Sequence, residues 1–343
     1  MSAGQCSTVE DPTELMTTTS VEVAHHTTGS SMTSSSRGDL YFQCAVVVIT
    51  FVGLVANGLV LYAILAAKQH KKHPLIVNQN LLDFVSCLFL ATMFTIRLCN
   101  IYLSGTSGYW LCLLFLNDGF SWAAFLGSLI NLAAITIERY LKIVHTAWAQ
   151  KKLRNWMIYS AMAFAWIGGI ATSGAAVIHT TRVVDGYCYA LVFWTSKAAR
   201  MAFGIWYFMS FYVIILLIFI FCYGRILMFV RRQASVMAGH AAAAPSNTQL
   251  SQIQIKVVKT MILVSALYVI TYTPLFVISI RRHRSADANP RDNAFFVTMA
   301  MGYFYNCANP FIYATKFDPV RRVLLGLIPC KKTSQPVESI GMA

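Results

Sequence analysis

Glu138, Arg139 and Tyr140 stand where a long apolar run gives out, in the stretch ERYLKIVH. A carboxylate and a guanidinium at the mouth of a membrane helix offset each other's desolvation only while the helix stays packed. If the helices part, Arg139 needs a new partner, which is the physics of a switch. The plain alternative is an arginine that marks the water interface and snorkels outward. A second acid, Asp83, lies in the middle of another apolar run, in NQNLLDFVSC. An aspartate near mid-bilayer must face a protein interior and find donors or a cation there. Asn57, Ser128, Asn306 and Asn309 are the polar residues that could meet it. Their oxygens suit a small hard cation such as sodium, and equally a hydrogen-bond network without an ion.

No nucleophile–base set is visible, and the nine cysteines are scattered without a CxxC pair. That argues against an enzyme and against a zinc site. Pro274 and Pro310 are the only prolines deep in apolar runs. Each removes a backbone hydrogen bond and bends its helix. Asn309, just before Pro310, is placed to bond the freed backbone. Tyr313, one turn on, could steady a rearranged helix end with its hydroxyl.

The elements that must position these groups are membrane helices. The 343 residues are 57% hydrophobic and 12% charged, with mean hydropathy +0.58. A soluble domain carries about 25% charged residues. Seven runs, 45–67, 74–97, 109–137, 156–181, 201–224, 260–280 and 293–315, reach the ~20 residues that cross a bilayer as a helix. The fold class expected is therefore all-α: a seven-transmembrane helix bundle, followed by a short amphipathic eighth helix at 317–327 (FDPVRRVLLGL). The connections after the odd-numbered runs and the C-terminal tail hold 17 Lys and Arg, against 9 on the other side. The richer side should be cytoplasmic, which puts the N-terminus outside in a multi-pass plasma-membrane protein. The net charge of +14 follows from that topology and not from nucleic acid. Three regions result: a disordered extracellular tail over 1–43, a receptor domain over 44–316, and an amphipathic helix with cytoplasmic tail over 317–343. The tail spells Arg37-Gly38-Asp39, an integrin-type triplet best read as chance. Cys330, just past the amphipathic helix, is a candidate for palmitoylation beside membrane lipids.

These residues together resemble the rhodopsin-like (class A) family of G-protein-coupled receptors. The resemblance rests on GLVANGLV around Asn57, NLLDF around Asp83, Trp166, Glu138-Arg139-Tyr140, Tyr223, Pro274 and Asn309-Pro310-Phe311-Ile312-Tyr313. It implies that Arg139 bonds Glu138 at rest, then releases to meet Tyr223 and a heterotrimeric G protein. It also implies a sodium pocket of Asp83, Ser128 and Asn309, and a disulfide between Cys112 and Cys188. Arrestin is a weaker implied partner, because the tail offers only Thr333, Ser334 and Ser339. Four features depart from the pattern. Tyr272 stands where the family usually has tryptophan, and the fifth run lacks a proline between Met201 and Tyr223. Gln254 replaces the acid that often braces the arginine, so elevated ligand-independent signalling is expected. Cys112 lies two residues further from Arg139 than usual, which leaves the register at the top of the third helix open.

The run 293–315 has no lysine, which excludes a retinal Schiff base. The position where amine receptors carry a helix-three aspartate is Ser121, with Asp118 one turn higher as a weak amine contact, though a capping or loop-bonding role is the favoured reading of it. A peptide ligand is therefore favoured. The expected pocket is Ser121, Trp122, Trp206, Tyr207, Tyr272, Phe276, Met299 and Tyr303, rimmed by Arg282. The alternatives are an amine or acidic small molecule, or a decoy that does not couple. No cofactor is expected beyond the sodium ion.

Overall fold

The computed structural model describes residues 32–99, 101–189, 196–239, 246–284, 293–316 and 318–327. Counting membrane helices from the N-terminus, helix one is Met32–Ala66, helix two Pro74–Leu98 and helix four Asn155–Thr180. Helix five runs as Lys197–Phe208 and Ile214–Gly239, helix six as Ser246–Arg284 and helix seven as Asn293–Lys316. Helix three has two parts, Gly105–Leu111 and Gly119–Val144. A short helix, Thr146–Lys152, follows it, and the amphipathic helix Asp318–Gly326 follows helix seven. Helix one starts earlier than its apolar run: Met32–Gln43, expected to be disordered, is helical. That segment contains no proline to stop a helix running back from the apolar stretch.

Among the described residues, six helices are long and apolar enough to cross a membrane by length and composition. Helix seven is long enough but more polar, because its inward positions carry Asn306 and Asn309, both buried. Helix three is the axis, packed against helices two, four and five. Of its most apolar window 72% is buried, against 28% for helices one, four and five. Those outer helices turn large apolar side chains such as Phe164, Ile167 and Leu217 outward, as lipid contact requires. Close packing of helices three and four depends on Gly169, where an added Cβ would lie 2.2 Å from the Ala123 carbonyl oxygen.

Two irregular turns re-aim the bundle. A π turn over Cys112–Leu116, then Asn117 and a left-handed Asp118 (φ 65°), separate the two parts of helix three. This break absorbs the two extra residues between Cys112 and Arg139. Cys112 still forms its disulfide with Cys188, as the resemblance implied. A second π turn, Met209–Val213, interrupts helix five, which has no proline there. Cys188 sits in a two-stranded hairpin, β1 (Arg182–Val184) against β2 (Tyr187–Tyr189), with Val183 opposite Cys188. The hairpin turns on Asp185 (φ 50°) and Gly186 (φ 77°), a pair suited to positive φ at both positions. A side chain at Gly186 would collide with the Tyr102 ring, at 2.1 Å.

Candidate functional site

The two ends of the bundle hold two clusters, joined by buried polar side chains. At the disulfide end, aromatic rings from helices three, five, six and seven meet. Trp122 packs edge-on to Phe125 and Tyr207, at 5.4 and 6.3 Å between centroids. Phe125 stacks on Tyr272 at 4.7 Å, and Tyr207 lies 5.9 Å from Phe276. The Tyr272 hydroxyl donates to the Gly302 carbonyl at 2.9 Å and ties helix six to seven. Met299 packs against the same core. Trp206 is 47% exposed and meets Phe203 and Phe211. Ser121 is buried and turned to helix two, where the Ser86 hydroxyl reaches its carbonyl at 3.3 Å. The Arg282 side chain lies outside the described residues.

Asp118 also lies at this end, but its carboxylate does not take the capping role favoured from the sequence. As the N-cap of the second part of helix three it would ordinarily cap with its carboxylate, but it makes no side-chain cap bond. Only its carbonyl does so, accepting from Trp122 N at 2.8 Å. Asn117 holds the break instead: its amide donates to Leu113 O at 2.6 Å and its Oδ1 accepts from Gly119 N at 2.8 Å. That frees the Asp118 carboxylate, whose Oδ1 is buried without a hydrogen-bond partner among the described residues. Its electrostatic neighbours are Arg97 and Tyr303. Arg97 spends Nη2 on Leu116 O at 2.7 Å and lies over the Phe94 ring. Tyr303 is buried edge-on to Phe94 at 5.9 Å.

Midway along the bundle the three residues expected to form a sodium pocket come together. Ser128 Oγ donates to Asp83 Oδ1 at 2.6 Å, and Asn309 Nδ2 donates to Asp83 Oδ2 at 2.8 Å. Asn309 Oδ1 is buried and without a partner among the described residues. An all-oxygen set with one carboxylate and an orphaned amide oxygen fits a small hard cation. Asn309 does not bond the backbone freed by Pro310, as the sequence suggested. The carbonyl that Pro310 leaves without its helical donor is that of Asn306, and Asn57 Nδ2 of helix one supplies the bond at 3.1 Å. Asn309 is spent on Asp83, and Asn57 is the amide that reaches.

A run of donors leads into Asp83 from helix four. Trp166 Nε1 donates to Asn78 Oδ1 (3.0 Å), and Asn78 Nδ2 to Asn131 Oδ1 (2.9 Å). Asn131 Nδ2 donates to Gln79 Oε1 (2.8 Å), and Gln79 Nε2 donates to Ser128 Oγ. Every proton points toward the carboxylate, so the dipoles add in its favour. Gln79 and Asn131 escaped the sequence reading. The signal was a glutamine four residues before Asp83 in a run otherwise apolar enough to cross lipid.

At the far end, Arg139 is buried. Its Nη2 lies 3.5 Å from Glu138 Oε2, while Glu138 Oε1 is taken by Lys142 at 2.6 Å. The same guanidinium meets His73 Nδ1, from the start of helix two, at 3.1 Å. Burial, and then the Arg139 charge, push the His73 imidazole down to about 4, so it is neutral near pH 7. Arg139 Nε has no partner among the described residues. The Tyr223 hydroxyl lies 3.0 Å from Thr136 Oγ1 and 3.2 Å from Ser265 Oγ, spanning helices three, five and six. Tyr313 is fully buried, its hydroxyl unpartnered among the described residues. Tyr140 reaches His145 Nε2 at 3.0 Å. Beyond it Trp148 is 45% exposed, and Ala147 and Arg231 are exposed as well. The side chains of Gln254 and Lys256, and Cys330, Thr333, Ser334 and Ser339, lie outside the described residues.

Residues 56–313 match the 7 transmembrane receptor (rhodopsin family). The chain is 27% identical over 295 residues to Somatostatin receptor type 3 of Homo sapiens, covering 81% of this chain and 66% of that one. It is 22% identical over 292 residues to Galanin receptor type 1 of Mus musculus, covering 81% of this chain and 78% of the other. It thus spans just under two thirds of the length of the first of these relatives. Its fold is similar to the crystal structure of squid rhodopsin, with TM-score 0.69 and 18% identity, over 84% of this chain and 80% of that one.

Proposed function

The chain belongs to the rhodopsin family of seven-transmembrane receptors, and from that membership we propose that it binds an extracellular peptide and drives nucleotide exchange on a heterotrimeric G protein. The observation that carries this is the state of Arg139. It is a buried guanidinium with an unpartnered Nε and a carboxylate neighbour shared with Lys142. Such a charge is held in place but incompletely satisfied, so an opening of the bundle can recruit it to a new partner. The buried hydroxyls of Tyr223 and Tyr313 stand by to support the opened arrangement.

The Lys and Arg bias supports a cytoplasmic Arg139 end and an outside N-terminus in the plasma membrane. Trp148, Ala147 and Arg231 would then face the G protein. Asp83, Ser128 and Asn309 would hold sodium, which would supply a compensating positive charge beside the carboxylate. Lipid covers the outward faces, and arrestin is a lesser partner. Peptide as the ligand class is supported by somatostatin and galanin receptors among the relatives. One observation favours a cationic group on that ligand, or an amine as a second reading: the unpartnered Asp118 Oδ1 at the disulfide end.

The test is nucleotide exchange in membranes without ligand, wild type beside Arg139→Ala, across a panel of G proteins. A basal rate that falls to background in the variant is expected. A basal rate unchanged by Arg139→Ala would overturn the coupling assignment.

A further inference from the structure

We propose that His73 is the resting clamp of Arg139, a positioning residue that holds the guanidinium across the gap between helices two and three until the receptor opens. This rests on the coupling role proposed for Arg139. His73 is the N-cap of helix two, yet its side chain makes no cap bond. Its carbonyl does the capping, accepting from Ile76 N at 3.1 Å and Val77 N at 3.2 Å. The imidazole faces helix three, its Nδ1 lying 3.1 Å from Arg139 Nη2. Arginine can only donate, so at 3.1 Å His73 Nδ1 must be the acceptor, with the ring proton on Nε2.

Glu138 cannot do this work alone. Its better contact is the 2.6 Å bond to Lys142, and Arg139 is left with 3.5 Å to the other oxygen. A neutral acceptor orients the arginine without cancelling its charge. Release then costs one hydrogen bond and not a fully formed ion pair. Arg139, Lys142 and Lys72 all disfavour a charged imidazole, and only Glu138 favours one. The clamp therefore stays in its accepting form through the neutral pH range.

The test measures ligand-free exchange in membranes at matched surface expression for wild type, His73→Leu, His73→Asn, Glu138→Gln and Arg139→Ala. His73→Leu, which has no acceptor, should raise the basal rate about fivefold, the equivalent of about 1 kcal/mol. His73→Asn, whose Oδ1 can stand near the place of Nδ1, should return it to within about twofold of wild type. Wild type should be flat from pH 8 to 6. His73→Ala replaces the leucine variant if that one does not reach the surface. A wild-type rate in His73→Leu while Glu138→Gln is raised would overturn the clamp and leave coupling intact. Equal rises in the asparagine and leucine variants would overturn it too, leaving only a packing role. If no variant, Glu138→Gln included, exceeds the Arg139→Ala background, coupling itself fails and the clamp with it.

Discussion

Replacing Asn57 by alanine should loosen the bend in helix seven, and the cost follows from one carbonyl. Pro310 has no N–H, so Asn306 O loses the helical donor it would otherwise have. Asn57 Nδ2 supplies a bond at 3.1 Å, and both residues are buried. Without it the carbonyl is stranded, at about 1–3 kcal/mol. The lost side-chain volume adds about 1 kcal/mol. The second bond of Asn57, to Gly53 O at 3.0 Å, matters less because that carbonyl also has its helical partner. The sum is about 2–4 kcal/mol, or a fall of roughly 5–10 °C in apparent Tm. The buried free thiols Cys87, Cys222 and Cys307 allow a thiol-reactive dye to report unfolding of purified receptor. A double-mutant cycle sharpens the test. Pro310→Ala returns a backbone N–H to Asn306 O, so Asn57→Ala should cost about 1–2 kcal/mol less in that background. An equal cost in both backgrounds would refute the reasoning, because the freed carbonyl would then not be what Asn57 serves.

Acid should weaken the fold through His73. Its folded pKa, about 4, lies below the ordinary 6.5, so between these values the unfolded chain binds a proton that the native one does not. Stability from this group is complete above pH 6.5 and declines as pH falls toward 4, by on the order of 3 kcal/mol in all. The Tm difference between pH 7.5 and 5 should shrink in His73→Asn, and an unchanged difference would exclude His73 as its source. Tyr272→Phe removes the hydroxyl bond to Gly302 O and should lower Tm by a few degrees, about 0.5–1.5 kcal/mol. Asp118→Asn removes a charge from an oxygen with no partner among the described residues, so Tm should hold or rise while affinity for a cationic peptide drops at least roughly tenfold. A marked loss of Tm would instead make Asp118 a structural residue.

The helical spans, the pairing of Cys112 with Cys188 and the meeting of Asp83 with Ser128 and Asn309 were legible before any coordinates. Apolar length and motif order are local properties of the chain, and the resemblance carried the pairings. Asp118 shows where that reading stops. Two extra residues in helix three were visible as a count, but not that a π turn and a left-handed residue would take them up and leave a carboxylate uncapped.

What the sequence determined by itself was which stretches enter the membrane and which polar residues are carried in with them, since transfer from water to hydrocarbon depends on residue type and run length. Which of those polar groups meet was decided by the tertiary structure. His73 and Arg139 are 66 positions apart, and Asn57 and Asn306 are 249 apart. A hydrogen bond forms only within about 3.5 Å and a narrow angular range. Contact at that range depends on how each helix is rotated and where it bends. Those quantities belong to the packed bundle, and they made Asn57 the donor at the Pro310 bend and His73 the neighbour of Arg139.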